Sequence, residues 1–375
     1  MILFIDTGIA FGMTKNVSDA GYVCMETLPY GKYGRLVGQG YDNVVVGTTQ
    51  YGLRSLLSRA DQVVFCDNGI KLPVGDGWIA PGRKEICELD KLKALKVMRD
   101  IGFDTVPSEH VVGLSGLFGI LEAWGFRGVV KIDSFYRGLV ESTVITSMDD
   151  AVSFIKKLGN VFGSYAFMMD FRVDEWIEYD AEWGIDAFVE NGKVKRPWFL
   201  GVENGKGYLS LVTDSAMKDF IKVLEKEVLE GYNCVVSIEF LVSGDSAYLS
   251  DINFRWGHPF SLIFPVVIEN WEEFLLNWNE GSIPSVKGRF IGGRIEEGKP
   301  WERLPLVDNF VPRRSVRIIS ENKEYHIPLE GDPVIGVTAG YGNTLGEVVK
   351  MIGGDTAWAD DLLDCWGNFI DIPRD

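Results

Sequence analysis

The chain has 375 residues, with 37 Lys or Arg against 54 Asp or Glu, a formal charge of −17 and a sequence pI near 4.7. A surface this acidic repels phosphate backbones and excludes a broad basic face that wraps nucleic acid, so an anionic substrate must be held by local cations or metal ions. Hydrophobic residues at 46% and aromatics at 12% furnish a packed core and exclude disorder, and the length suits about two to four lobes.

The five cysteines, Cys24, Cys66, Cys87, Cys234 and Cys365, include no pair at zinc or redox spacing, and the odd number suits reduced thiols. His110, His258 and His326 are the only histidines and lie far apart in sequence, so zinc chemistry is not expected. No apolar run approaches the roughly 18–20 residues that cross a bilayer. The N-terminal MILFIDTG has no basic region before its apolar stretch, so it reads as a first buried strand and not as a signal peptide. The expected compartment is the cytoplasm, with no membrane partner.

In chain order, Ile2–Ile5, Val44–Val46 and Val63–Phe65 are short runs apolar at consecutive positions, as in strands of a parallel α/β sheet covered on both faces. Tyr51–Ala60 predicts a crossover helix, and Asp6-Thr7-Gly8 stands where a dinucleotide fingerprint would begin. A helix is predicted from about Asp90 to Ile101, with Asp90 as N-cap, Leu92, Leu95 and Met98 on one face and Gly102 beyond its end. Residues 109–213 read mostly as strands. Among them are 128–132, Tyr165–Met169, and a pair at 183–190 and 193–200 joined by the hairpin signal Asn191-Gly192. A second helix is predicted over 215–230, ending at Gly231. Strands Cys234–Leu241 and Ala247–Asn253 follow, linked by Ser243-Gly244-Asp245. A helix near 270–280, strands Ser315–Ile319 and Val334–Thr338, and a helix opened by the capping box Thr344-Leu-Gly-Glu347 complete the chain.

Four elements carry candidate chemistry. Lys91 opens the first long helix, and Lys131 ends an apolar strand 40 residues later. Glu175 and Glu182 flank Trp176-Ile177. Glu239 lies 12 residues before Asp251-Ile-Asn253-Phe-Arg255. Residues two apart share one face of a strand, so Asp251, Asn253 and Arg255 project together if the strand extends that far, and an antiparallel partner could bring Glu239 beside them. Two carboxylates and an amide oxygen form an all-oxygen set suited to Mg²⁺. Taken alone, Glu239 and Asp251 equally fit solvated outer-face residues of a hairpin, and Lys131 fits either a snorkelling lysine or one aimed at an anion.

Together these elements resemble the ATP-grasp superfamily, most of all glycinamide ribonucleotide synthetase (phosphoribosylamine–glycine ligase). The likeness runs over nearly the whole chain: Trp78-Ile-Ala-Pro-Gly-Arg-Lys-Glu-Ile-Cys-Glu-Leu-Asp-Lys91, Gly102-Phe-Asp-Thr-Val-Pro107, Val129-Val-Lys131, Asp174-Glu-Trp-Ile-Glu-Tyr-Asp-Ala-Glu182, Asn253-Phe-Arg-Trp-Gly-His-Pro259, and 333–347. It implies an α/β (α+β) ATP-grasp fold with a Rossmann-like domain at 1–90, a nucleotide-binding and catalytic region at 91–285 with a small lobe at about 109–175, and a small β-rich domain at 286–375. ATP and Mg²⁺ (or Mn²⁺) are the implied cofactors.

By the same resemblance, Lys91 and Lys131 meet nucleotide phosphates, and the backbone of Glu175, Trp176 and Ile177 meets adenine. Glu182 holds the ribose, and Glu239, Asp251 and Asn253 ligate the metal. Arg255, Lys131 and Arg137 stabilise the transferred phosphoryl group. The implied reaction activates a carboxylate as an acyl phosphate, which an amine then attacks.

Three departures stand out. Asp133-Ser-Phe-Tyr-Arg-Gly138 replaces a glycine-rich loop bearing a lysine, so Arg137 takes the cation's place. Asp251 replaces a glutamate, and His258 and Phe260 replace an acidic pair in the region expected to meet the amine. The preferred expectation is therefore a carboxylate–amine ligase with an altered amine substrate, its partners small molecules. A divergent glycinamide ribonucleotide synthetase and a non-catalytic ATP-binding relative remain as alternatives. The cationic stretch Arg313-Arg314-Ser-Val-Arg317 fits either an anion site for the second substrate or the outer face of an edge strand.

Overall fold

A computed structural model of the chain describes residues 1–25, 30–67, 70, 72–82, 91–132, 142–321, 323–329, 334–353 and 359–364. The chain forms two compact units. The first comprises Met1–Glu85, Ala181–Ile238 and Asn253–Asp375, and the second Ile86–Asp180 and Glu239–Ile252.

The first unit opens with a parallel sheet of β1 (Ile2–Asp6), β2 (Ala20–Cys24), β3 (Val44–Val46) and β4 (Gln62–Phe65), in the order β3-β2-β1-β4. Every residue of β1 is buried, as its unbroken apolar run requires of a strand covered on both faces. Helix α1 (Gln50–Leu57) starts where the Thr49 side chain accepts from the Gly52 amide at 3.0 Å. Its Leu53 and Leu56 pack on Leu3, Ile5, Val63 and Phe65. Successive crossovers leave β1 in opposite directions, to β2 on one side and eventually to β4 on the other, so a topological switch point lies between β1 and β4.

In the second unit α2 (Lys91–Asp100) buries Leu95 and Met98, and Gly102 (φ 97°) follows its end, as predicted. The predicted N-cap, Asp90, lies outside the described residues. The sheet order is β5-β8-β6-β7, from β5 (Ser108–Val112), β6 (Gly128–Ile132), β7 (Ser142–Ile145) and β8 (Asp170–Glu175). One face carries Val130, Ile132, Phe171 and Val173 against Leu114, Leu117 and Leu121 of α3 (Gly113–Ala123) and Phe154 and Leu158 of α4 (Met148–Phe162).

These two helices correct the expectation of a mostly β segment over 109–213. Three glycines dilute the helical signal of α3, whereas Ala151, Phe154 and Leu158 of α4 keep a helical period behind the Ser147 cap. Tyr165–Met169, expected as a strand, lies almost wholly within the 3-10 turn Gly163–Met168.

Back in the first unit, β9 (Ala181–Glu190) pairs with the short β10 (Lys193–Val194) around Asn191 (φ 48°) and Gly192 (φ 81°), the left-handed pair of a tight hairpin. The strand expected over 193–200 breaks at Pro197, which has no N–H to give a ladder, and resumes as β11 (Trp198–Asn204). With β12 (Gly207–Thr213), helix α5 (Lys218–Glu227), β13 (Val235–Ser243), β14 (Ser246–Asn253), helices α6 (Phe264–Val267) and α7 (Trp271–Leu276), and β15 (Phe290–Glu297), the chain builds a long sheet. After β16 (Leu304–Pro305), β17 (Phe310–Pro312), β18 (Ser315–Ser320), β19 (Lys323–Pro328) and β20 (Val334–Gly342), its order within this unit is β13-β9-β11-β12-β15-β20-β17. Strands β16, β19 and β18 form a separate small sheet.

Trp256, Trp271, Trp278, Phe188 and Phe264 pack edge-on or tilted at the centre of this unit, with ring centroids 5.0–6.5 Å apart where they touch. Helix α8 (Leu345–Ile352) is capped by Thr344. No helix among the described residues is long and apolar enough to cross a membrane.

Candidate active site

Lys131 lies on the face of the second unit's sheet opposite its apolar core. In β6 it stands directly across from Arg172 of β8, and Asp174 follows Arg172 by two residues on the same face. Arg172 grips Asp174 through Nε to Oδ1 at 2.6 Å and Nη2 to Oδ2 at 2.7 Å, and the Ser108 hydroxyl donates to Oδ1 at 2.6 Å. Both residues are buried, at 3% and 4% exposure. A buried carboxylate survives only when paired and hydrogen-bonded, and this one is held by a planar fork.

Above it, Lys131 Nζ lies 3.8 Å from Asp174 Oδ2 and 3.5 Å from Asp251 Oδ2, and donates to the Ser250 carbonyl at 3.3 Å. Arg172 Nη2 donates to the same carbonyl at 2.6 Å. Lys131 and Asp251, predicted from opposite ends of the motif set, are thus neighbours. The sequence reading passed over Arg172 and quoted Asp174 only as the first residue of a motif, with no role of its own. Their signal was the alternation Asp170-Phe-Arg-Val-Asp174, in which charges occupy every second position between buried apolar residues.

Glu239 and Asp251 lie on β13 and β14, neighbours in the sheet joined by the turn at Gly244-Asp245. Asp251 and Asn253 occupy alternate positions of β14 and are buried, at 7% and 6% exposure, while Glu239 is half-buried. Asp251 Oδ1 accepts from the Ile252 amide at 3.0 Å, and its other oxygen faces Lys131. The donor set is oxygen throughout and fits a hard divalent cation such as Mg²⁺. Strand β14 ends at Asn253, so the continuous strand imagined as far as Arg255 stops short.

The segment after β8 is fixed at two points. The Glu175 amide donates to Pro107 O at 2.9 Å, and the Asp180 amide donates to Val242 O at 2.7 Å. Asp180 Oδ2 also accepts from the Gly244 amide at 2.8 Å. Between these anchors the Trp176 indole donates to Glu178 at 2.9 Å beneath the Arg127 guanidinium, and these two donors hold the exposed Glu178 carboxyl below its ordinary range. Glu175 is exposed and Trp176 and Ile177 are half-buried. In the first unit, Glu182 of β9 stands directly opposite Glu203 of β11.

Arg255 Nε lies 3.6 Å from Asp67 Oδ1, and its Nη1 donates to Trp256 O at 3.0 Å. His258 uses both ring nitrogens internally, Nε2 with Cys66 O at 2.8 Å and Nδ1 with the Ser261 hydroxyl at 2.9 Å. Burial, reinforced by Arg255 and Arg313, pushes its pKa down to about 3 and keeps it neutral. Phe260 stacks on Tyr208, with ring centroids 5.1 Å apart. Lys91 is the first residue of α2, and Arg137 lies outside the described residues. Of the cationic stretch, Arg317 pairs with Asp42 and Glu324, and Arg314 is buried at 4% exposure.

No protein-family model matches the sequence, and no curated protein matches it. Solved structures do. Phosphoribosylamine–glycine ligase from Thermotoga maritima superposes with a TM-score of 0.64 at 14% identity, over 97% of this chain and 96% of that one. Carboxyaminoimidazole ribonucleotide synthase from Aspergillus clavatus, complexed with ATP, superposes with 0.61 at 12% identity, over 97% and 98%. The biotin carboxylase domain of Hydrogenobacter thermophilus 2-oxoglutarate carboxylase, in complex with MgADP, ADP and bicarbonate, gives 0.57 at 12% identity, over 93% and 88%. The chain has the ATP-grasp fold. The likeness in fold spans 97% of the chain at 12–14% identity.

Proposed function

We propose that the chain is an ATP- and Mg²⁺-dependent ligase that joins a small carboxylic acid to an amine through an acyl phosphate, in the cytoplasm. The observation that carries this reading is the apposition of Lys131 and Asp251 at 3.5 Å, over a buried Arg172–Asp174 pair, in a chain with the ATP-grasp fold. Lys131 and Lys91 would neutralise nucleotide phosphates. The backbone of Glu175, Trp176 and Ile177 would meet the base, Glu182 the ribose, and Arg255 and Arg137 the transferred phosphoryl group. Glu239, Asp251 and Asn253 would hold Mg²⁺, which when bound offsets charge on the β- and γ-phosphate oxygens. The three-part division at about residues 90 and 285 belongs to the same proposal.

The second substrate is an amine other than phosphoribosylamine. At the positions where the resemblance expects an acidic pair, His258 is neutral with both nitrogens engaged, and Phe260 is stacked on Tyr208. Neither side chain offers a charge to a cationic amine. ADP release with ATP, Mg²⁺ and panels of acids and amines is the test. Turnover with some acid–amine pair other than glycine and phosphoribosylamine is expected, and Glu239→Gln and Asp251→Asn each lower it roughly 10–100-fold or more. Turnover only with glycine and phosphoribosylamine would restore the synthetase reading, and unchanged ADP formation in both variants would overturn the metal assignment.

A further inference from the structure

Arg314, 4% exposed, has no hydrogen-bond partner among the described residues at Nε, Nη1 or Nη2. A guanidinium carries five donors and stays charged at all relevant pH, so burying it empty-handed is costly unless something else accepts. Its place in the fold is specific. The Arg313 carbonyl accepts from the Phe11 amide at 3.2 Å, which lays this stretch along the loop that leaves β1. There the guanidinium closes on Gly8, where a built Cβ would sit 3.3 Å from Nη1 and 3.0 Å from Cys24 Sγ. Gly8 has φ 99°, a conformation that side chains disfavour, so the absence of a side chain both permits the turn and lets the guanidinium seat directly against the backbone.

This is the carboxyl end of the parallel sheet, beside the switch point between β1 and β4. Thr7 after β1 donates to Asp67 after β4 at 2.6 Å across that crevice. In open α/β sheets ligands bind at such crevices. Nearby, Arg255 lies against Asp67, and burial pushes the Asp6 carboxyl up, toward its neutral form. His258 is neutral. Among the described residues Arg314 thus holds its charge beside Gly8 with no acceptor, and a single charge suits a monoanion better than a phosphate dianion next to Asp67. The planar fork matches a carboxylate.

We propose that Arg314, seated against Gly8 at the carboxyl end of β1, is the receptor for the carboxylate group of a small molecule. As a substrate-anchoring element the site rests on the ligase reading; as a carboxylate site it does not. The test uses the intact chain with 13C-acetate and inorganic phosphate as probes at matched ionic strength, followed by NMR titration and melting temperature. Acetate is expected to bind saturably and to raise Tm by about 2 °C or more near saturation, with phosphate weaker. Arg314→Met is expected to weaken acetate at least about tenfold, and Arg314→Lys, which keeps the charge but not the fork, by less. Should a variant fail to fold, the wild-type titration decides alone. Absence of saturable acetate binding, tighter binding of phosphate, or unchanged affinity in a folded Arg314→Met chain would each overturn the proposal. MgATP binding is measured alongside. If ATP binds and acetate does not, only this site falls; if acetate binds and ATP does not, the ligase reading falls and the site stands.

Discussion

Replacing Lys131 by Met isolates the electrostatics of the second unit, because the apolar stem is kept and only the ammonium is lost. Lys131 Nζ lies 3.5 Å from Asp251 and 3.8 Å from Asp174. At an effective dielectric of about 20 these pairs are worth gross Coulomb energies of roughly 5 and 4 kcal/mol, most of it offset by desolvation. Asp174 keeps its bidentate Arg172 partner, so the loss falls mainly on Asp251, whose side chain is 9% exposed. Breaking a buried pair typically costs about 3–5 kcal/mol, and the 13% exposure of Lys131 argues for the lower end, about 3 kcal/mol. The assay is urea unfolding followed by fluorescence, completed as a cycle with Asp251→Asn. The double variant should recover about 2 kcal/mol, since the orphaned charge is removed. A Lys131→Met cost below about 0.5 kcal/mol, or a coupling energy near zero, would refute the view of Lys131 and Asp251 as a buried interacting pair.

Acid should destabilise the chain through its two buried histidines. Burial holds His258 down at about 3, and burial with Lys15 and Arg317 nearby holds His326 down at about 4. Both folded values lie below the ordinary one. Their contribution is therefore fully present above about pH 6.5 and is lost as pH falls through 6.5 toward the folded values. Each should cost roughly 2 kcal/mol between pH 7 and 5, and a flat stability profile over that range, or one unaltered in a His258→Gln chain, would contradict this. At the start of α8, Thr344 Oγ1 accepts from the Glu347 amide at 3.2 Å and Glu347 Oε2 accepts from the Asn343 amide at 2.6 Å. Thr344→Ala should cost about 1 kcal/mol in thermal or urea unfolding, and a change near zero would show that the cap contributes nothing.

Much of the candidate site was legible because its chemistry follows strand periodicity. The apolar run ending in Lys131 and the alternation Asp251-Ile-Asn253 place polar groups on one face by geometry alone, and both fall on strands. Arg172 and Asp174 carry the same alternation, yet the likeness gave neither a role, and their meeting with Lys131 depends on which strand β6 meets across the sheet. Helix α3 was hidden by its own glycines, since its period is carried by Leu114, Leu117 and Leu121 packing on the sheet and not by strong local propensity. Trp256, next to Arg255 in sequence, is core, because an aromatic cluster forms only when distant segments converge on it.

The acidic composition, the parallel first sheet, the hairpin at Asn191-Gly192 and the oxygen donors of β14 were determined by local sequence, where neighbours along the chain set the backbone and the face. The tertiary structure alone decided where the charges are matched. Asp251 meets Lys131 across 120 residues, Asp67 meets Arg255, and Arg314 is carried to Gly8 without a partner of its own. Charge balance inside a protein is a property of space and burial, so an excess of acid counted along the chain does not reveal a buried cation such as Arg314 that lacks an acceptor among the described residues.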